Sequence, residues 1–268
     1  ELLASAKYGF LYQGQRSDMR ESSYGTPALD LKPWHFIHFL ENHDQVANSA
    51  RGLRMDRLGA PGNVRALTAL FLLSPQTPCL FAGQEFGASS RFLYFASFDG
   101  DTAMAVADGR AQNLRQFAGV SDPAMSALLP DPADSATFAA SKLDWDEFER
   151  HANVVALHRD LLRLRKTHAA FALQGKGARL DGAVLSEQAL LLRYLTEDGD
   201  DRLLFINLGR DRHMNIIPEP LVAPPQGRHW QAVWSSEHPA YGGSGRYAAD
   251  MNRFWILPGN SALLFAAV

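Results

Sequence analysis

Cysteine is almost missing from this chain of 268 residues: Cys79 stands alone, so no internal disulfide can form. That fits a reducing compartment such as the cytoplasm, and Cys79, inside Thr77-Pro78-Cys79-Leu80-Phe81, reads as a buried structural thiol. Long apolar runs are also missing. No stretch approaches the ~18 residues of a membrane span. Neither charge sign is in excess, with 26 Lys and Arg against 29 Asp and Glu and a formal net charge of −3. Composition therefore gives no electrostatic case for nucleic acid or an anionic membrane as partner. The nine histidines show no His-Glu-x-x-His spacing, so no catalytic metal is expected. Gly242-Gly243-Ser244-Gly245 lacks the Lys-Ser/Thr of a phosphate loop and reads as a flexible turn. No cofactor is expected. The start, Glu1-Leu2-Leu3-Ala4-Ser5-Ala6-Lys7, shows neither a basic leader nor an initiator Met. The expectation is a piece of a longer protein without a signal peptide.

What is present is an ordinary globular balance, 46% hydrophobic and 21% charged, with room for two domains. One stretch stands out. The apolar, aromatic-rich run Phe36-Ile37-His38-Phe39-Leu40 ends abruptly in Glu41-Asn42-His43-Asp44-Gln45. The run reads as a buried strand of a parallel sheet. Polar side chains delivered together at the carboxyl end of such a strand sit where α/β barrels build their active sites. An Asp beside a His suits a ligand rich in hydroxyls, because the carboxylate accepts hydrogen bonds and the imidazole adds another. A plainer reading stands beside this one: Asn, His and Asp are common turn formers, and Asp caps helices.

The chain changes character near residue 172. Before it, helical and strand-like segments alternate, the grammar of parallel α/β folds. An amphipathic helix is expected over 63–73, stopping before Pro75. A second buried strand is expected over 78–82 and a helix over 103–117. The most periodic helix spans 146–168, with Arg159, Arg163, Arg165 and Lys166 on a solvated face. Beyond 172 come short β-like runs at 183–187, 189–196, 202–207, 213–217, 229–234, 254–257 and 262–265. Turn chemistry such as Pro224-Pro225 separates them, which predicts an antiparallel sandwich with Trp230, Trp234 and Trp255 in its core. A (β/α)8 barrel needs ~250 residues. The fold class expected is therefore α/β plus all-β: residues 1–172 as the closing portion of a barrel, then a β-sandwich over 173–268.

A set of motifs in order carries a resemblance. Tyr8-Gly9-Phe10-Leu11-Tyr12-Gln13-Gly14-Gln15, Phe39-Leu40-Glu41-Asn42-His43-Asp44-Gln45-Val46 and Leu80-Phe81-Ala82-Gly83-Gln84-Glu85-Phe86-Gly87 match stretches of one enzyme family. Phe92-Leu93-Tyr94-Phe95 and Ser141-Lys142-Leu143-Asp144-Trp145 extend the match. The chain resembles the carboxyl-terminal half of the maltooligosyltrehalose trehalohydrolases, within the α-amylase superfamily (glycoside hydrolase family 13). Two departures are visible. Leu53 stands in Arg51-Gly52-Leu53-Arg54 where the family has Glu, and Ala96-Ser97-Phe98 replaces a usual Thr-Asp-His.

The resemblance implies retaining hydrolysis of an α-1,4-glucan by three carboxylates, with the nucleophile and acid ~5–5.5 Å apart. Asp44 matches the carboxylate that grips the 2- and 3-hydroxyls and stabilises the transition state. His43 matches the histidine bonded to the same sugar. Tyr12, Gln13, Asn42, Gln45, Glu85 and Tyr94 would line the substrate, with Glu85 structural or substrate-lining rather than a substitute acid. Phe92 and Phe95 fit a sugar platform or ordinary core equally. The nucleophile and acid have no match in this chain, so the chain alone is expected to be inactive and to need the amino-terminal half of the barrel. The expected substrate is maltooligosyltrehalose, cut beside its trehalose end. Rival readings are a branching or debranching enzyme of the same superfamily, or a non-catalytic carbohydrate-binding remnant.

Overall fold

The computed structural model describes residues 1–17, 20–49, 51–117, 120, 122, 124, 129–171, 179–214, 217–246 and 255–268, with backbone alone at Trp255. In chain order the elements are α1 (Leu2–Tyr8), β1 (Arg16–Ser17), β2 (Ser22–Ser23), β3 (Ile37–His38), α2 (His43–Asn48), α3 (Met55–Leu58), α4 (Pro61–Leu73) and β4 (Thr77–Pro78). Then follow α5 (Gly100–Leu114), α6 (Ser135–Ala140), α7 (Glu147–Arg150), α8 (Ala152–Thr167), β5 (Arg179–Ser186), β6 (Ala189–Leu195) and β7 (Arg202–Asn207). The last are β8 (Arg212–Met214), β9 (Trp230–Ser235), β10 (Trp255–Leu257) and β11 (Ser261–Ala267). They fall into two compact units, one of Glu1–Phe39, Ala60–Cys79 and Asn153–Val268, the other of Leu40–Gly59 and Leu80–Ala152.

The first unit is built on a five-stranded antiparallel sheet in the order β5-β6-β7-β11-β9. β6, β7 and β11 are Leu-, Phe- and Ala-rich without alternation, because both faces of the sheet are covered. On one face Leu191, Leu203, Phe205, Leu263 and Phe265 pack with Ile217, Trp230, Leu257 and the half-buried Met214. Leu257 and Met214 come from the β8–β10 ribbon, which forms the second layer of the sandwich. Across the other face lies α4, packed on β7 and β11, and the buried Tyr194 hydroxyl donates to Leu73 O at 2.9 Å. The class is the expected one, α/β with parallel strands plus an antiparallel sandwich, and no closed barrel forms among the described residues.

Pro61 in the first turn of α4 supplies a preset φ, and Ser74 is extended because Pro75 follows it. The carbonyls left open at the end of α4 are met by Arg165 of α8, which donates to Leu72 O at 2.9 Å, to Ser74 O and to Gln76 O at 2.6 Å. Arg165 is thus not on a solvated face as the sequence suggested. Its stem follows the buried side of α8 and its fork caps a neighbouring helix.

Four more expectations are corrected. The run 36–40 is not a buried strand: β3 covers only Ile37 and His38, paired in parallel with Thr77 and Pro78. Ile37 is 65% exposed and Phe39 41%, since this two-residue ladder has no further strand beside it among the described residues. Cys79, at the end of the same ladder, is exposed. Trp234 lies outside the sandwich core, half-buried, with its indole N–H donating to Tyr241 Oη at 3.1 Å. The Gly242–Gly245 turn is braced rather than loose, because Glu237 accepts from both the amide and the hydroxyl of Ser244 at 3.0 and 2.8 Å. The domain change near 172, residues 215 and 216 of the 213–217 run and residue 254 of the 254–257 run lie outside the described residues, as does the Trp255 side chain.

The second unit holds α2, α3 and α5 to α7, and Phe86, Ala88, Leu93 and Leu114 are among its buried residues. The helix expected over 146–168 is broken at His151, whose ring nitrogen meets Phe86 O at 2.9 Å.

Candidate functional site

The polar stretch after β3 becomes a short helix with a built entrance. Asn42, in extended conformation, caps α2: its side-chain oxygen accepts from the amides of Asp44 and Gln45 at 2.9 and 3.4 Å. Gln45 closes the capping box by accepting from the Asn42 amide at 3.0 Å. His43 and Asp44 therefore fall in the first turn, where the helix dipole favours a carboxylate. Their side chains stay 66% and 68% exposed, with Nε2 of His43 3.4 Å from Oδ1 of Asp44. A carboxylate and an imidazole stand side by side facing outward. The oxygens of Asn42 and Gln45 are engaged in the cap, which leaves their amide NH2 groups as the parts able to meet a ligand.

Beneath this turn lies a buried ionic frame that the sequence did not reveal. Glu41, 6% exposed, accepts from the Met55 amide at 2.7 Å. Arg54, 3% exposed, donates to Ser90 O at 3.0 Å and to Ala82 O at 2.9 Å. Its guanidinium lies 3.9 Å from Glu41 and 4.8 Å from the Phe81 ring centre. Burial pushes the Glu41 carboxyl above its ordinary pKa and pulls Arg54 below its own, each opposed by the partner's charge. The pair ties the approach to α2 to the segments 81–90 and 54–55.

Glu85 accepts from the Gly83 amide at 2.9 Å and so braces the turn after residue 82. Gly83 has φ +91, and a Cβ there would meet Ala88 at 2.7 Å and Leu143 at 2.8 Å. Only glycine fits. Tyr94 is 39% exposed and stacks on Arg110, whose Cζ lies 4.5 Å from the ring centre. Arg110 was absent from the sequence reading, and no spacing marks it. Phe92 and Phe95 lie in an edge-to-face chain from Phe81 to Phe138, with centroid separations of 5.1, 5.8 and 5.1 Å.

Tyr12 and Gln13 belong to the first unit. Tyr12 packs edge-on to Tyr24 with centroids 5.1 Å apart. The Gln13 side chain donates to Phe10 O at 3.0 Å and accepts from the Ala28 amide at 3.3 Å, bracing its own loop. Of the expected site residues, Asn42, His43, Asp44 and Gln45 thus share one helix entrance, Tyr94 reaches α2 through Arg110, and Glu85 holds a turn of its own. Among the described residues no group of three or more His, Cys, Asp or Glu is placed to hold a metal ion, and no helix is long and apolar enough to cross a membrane.

Comparison with known proteins bears on this geometry. Residues 177–264 match the family described as a domain of unknown function, DUF3459. Malto-oligosyltrehalose trehalohydrolase of Deinococcus radiodurans is 34% identical over 228 residues, 83% of this chain and 37% of that protein. The protein of the same name from Mycobacterium tuberculosis is 33% identical over 250 residues, 90% of this chain and 39% of its own length. Among solved structures, a putative alpha amylase from Salmonella typhimurium superposes with a TM-score of 0.76 at 26% identity, covering 99% of this chain and 41% of that one. The chain spans well under half the length of each.

Proposed function

Because this chain is a relative of the carboxyl-terminal part of the malto-oligosyltrehalose trehalohydrolases, in the α-amylase superfamily, we propose that the protein it belongs to hydrolyses the α-1,4 bond beside the terminal trehalose unit of maltooligosyltrehalose. Trehalose and a shortened maltooligosaccharide are the products. On this reading residues 1–172 close the catalytic barrel, residues 173–268 form the sandwich that follows, and the protein works in the cytoplasm. The single observation that supports the reading is the outward pairing of His43 and Asp44 in the first turn of α2.

The chemistry follows from that pairing. As the glucosyl ring flattens towards an oxocarbenium ion, its hydroxyls become better hydrogen-bond donors. A carboxylate already held at the 2- and 3-hydroxyls then gains more in the transition state than in the ground state. Asp44 takes that role and His43 bonds the same ring. The amide NH2 groups of Asn42 and Gln45 line the sugar's path, with Tyr94 as an aromatic wall and Glu85 as a further lining residue. No stretch of this chain matches the segments that carry the nucleophilic Asp and the acid Glu in this superfamily, so the isolated chain is proposed to be inactive, with catalysis requiring the preceding half of the barrel.

Incubating the complete gene product with maltooligosyltrehalose tests the proposal. Free trehalose in the chromatogram is the expected result. Transfer products with new α-1,6 branches would point to the branching rival, and retention on an α-glucan column without turnover to a binding module. In the complete gene product, Asp44→Asn should lower kcat by about 10²–10³-fold while leaving the circular dichroism spectrum unchanged. A near-normal rate would take Asp44 out of the machinery.

A further inference from the structure

α5 buries little. Over its fifteen residues Leu114 is the one buried side chain, and Met104 is 61% exposed. What it does contribute is Arg110. The guanidinium donates through Nη2 to Ala47 O at 2.8 Å and through Nη1 to the side-chain oxygen of Asn48 at 3.2 Å. Its face lies against the Tyr94 ring, 4.5 Å from Cζ to the ring centre. Two edges and one face of a single planar cation are thus all engaged.

The grip falls on the last turn of α2. A helix of six residues is far below the length that is stable by itself, so its direction is decided by what holds its two ends. The capping box of Asn42 and Gln45 holds the first. At the second, carbonyls without intrahelical partners carry the negative pole of the dipole, and a cation donating to them is favoured. Asn48 lies four residues beyond Asp44, on the same helical face. The contact is therefore made directly along the line that sets where the Asp44 carboxylate points.

We propose that Arg110 is a positioning residue: it fixes the direction of α2, and with it the Asp44 carboxylate, while its other face sets the Tyr94 ring at a defined place relative to that carboxylate. The inference rests on the role given to Asp44 above. Lysine cannot replace this arrangement, since an ammonium is a point donor without a face to stack or a fork to span two acceptors.

The experiment compares Arg110→Lys and Arg110→Ala with wild type in the complete gene product, reading kcat and KM separately for maltooligosyltrehalose, together with the melting temperature. A displacement of about 1 Å at a reacting centre costs up to about 10²-fold. Arg110→Ala should thus lower kcat by about 10- to 100-fold, with KM changed by less than about threefold and the melting temperature nearly unchanged. Arg110→Lys should recover only a small part of that loss. A kcat within about threefold of wild type in the alanine variant, or full recovery by lysine, would overturn the proposal. A loss of kcat in step with a collapse in melting temperature would assign Arg110 to stability alone. Should the wild-type protein not cleave maltooligosyltrehalose, the functional reading fails, and amide hydrogen exchange on the complete gene product then decides the positioning claim. Faster exchange confined to the α2 amides in Arg110→Ala supports it, and unchanged exchange there refutes it.

Discussion

Arg54 donates its hydrogen bonds to main-chain carbonyls that lie 36 and 28 residues away, and Arg110 reaches the Ala47 carbonyl across 63. Such contacts leave no periodic mark, because any residue supplies a carbonyl, so the sequence marks neither arginine's partners, although Arg54 falls in the quoted Arg51-Gly52-Leu53-Arg54 segment. Asp44 and His43 were legible for the opposite reason. They are adjacent, polar, and placed where an apolar run stops, and the cap that presents them is local to four residues. Arg54 carries a testable consequence. It is nearly inaccessible, its charge faces Glu41, and Glu41 is already unsettled by burial. Removing the cation strands a buried carboxylate as well as two carbonyls. Arg54→Met should therefore cost about 3 kcal/mol or more in urea unfolding, a far larger loss than an exposed ion pair would show. A change below about 1 kcal/mol would mean that the segments it joins are held by packing alone.

At the scale of elements, the sandwich was read well because its signals are local. β7 runs over 202–207 as expected, and β6 over 189–195 starts where expected and stops one residue short, since the Asp-Gly-Asp turn between them and the apolar runs themselves fix both ends. Helix ends that depend on distant partners were read less well. The 146–168 period did not foretell the break at His151, which is tied to Phe86, a residue of a separate turn. The same blindness hid the cap on α4. Arg165 sits in a basic run, and only the fold turns it inward to the Leu72, Ser74 and Gln76 carbonyls. Burial lowers its pKa below the ordinary arginine value, yet the fork stays charged and bonded. Arg165→Met keeps the stem's packing and deletes the cap. Hydrogen bonds to a charged group contribute about 1.5–3 kcal/mol, so the variant should lose about 2 kcal/mol in urea unfolding followed by tryptophan fluorescence. A loss within error of zero would show that water satisfies those carbonyls equally well.

At the scale of the whole molecule, the sequence runs from α/β to β, but the compact units interleave: one takes Glu1–Phe39, Ala60–Cys79 and everything from Asn153 onward. A linear reading cannot foresee that, because it sees composition along the chain and not which segments close on each other. The same limit explains why Ile37 and Phe39 were expected inside. Their apolar character is real, but burial needs a neighbour that the ladder of β3 and β4 does not supply. The first unit also carries a pH response of definite sign. His38, whose ring nitrogen meets Gly9 O at 2.8 Å, has its pKa lowered by burial below the ordinary 6.5. His168 is lowered too, first by burial and then by the Arg202 charge, against the opposing pull of Asp200. In both, the folded state holds the proton less tightly than the unfolded chain. Above pH 6.5 neither form is charged and the full stability is present. As the pH falls through that value towards the lower folded ones, the unfolded chain takes up protons first and stability is lost. The urea midpoint, followed by tryptophan fluorescence, should therefore decline between about pH 7 and about pH 5. The double variant His38→Gln, His168→Gln should flatten that decline, and an equal slope in the variant would place the pH response elsewhere in the molecule.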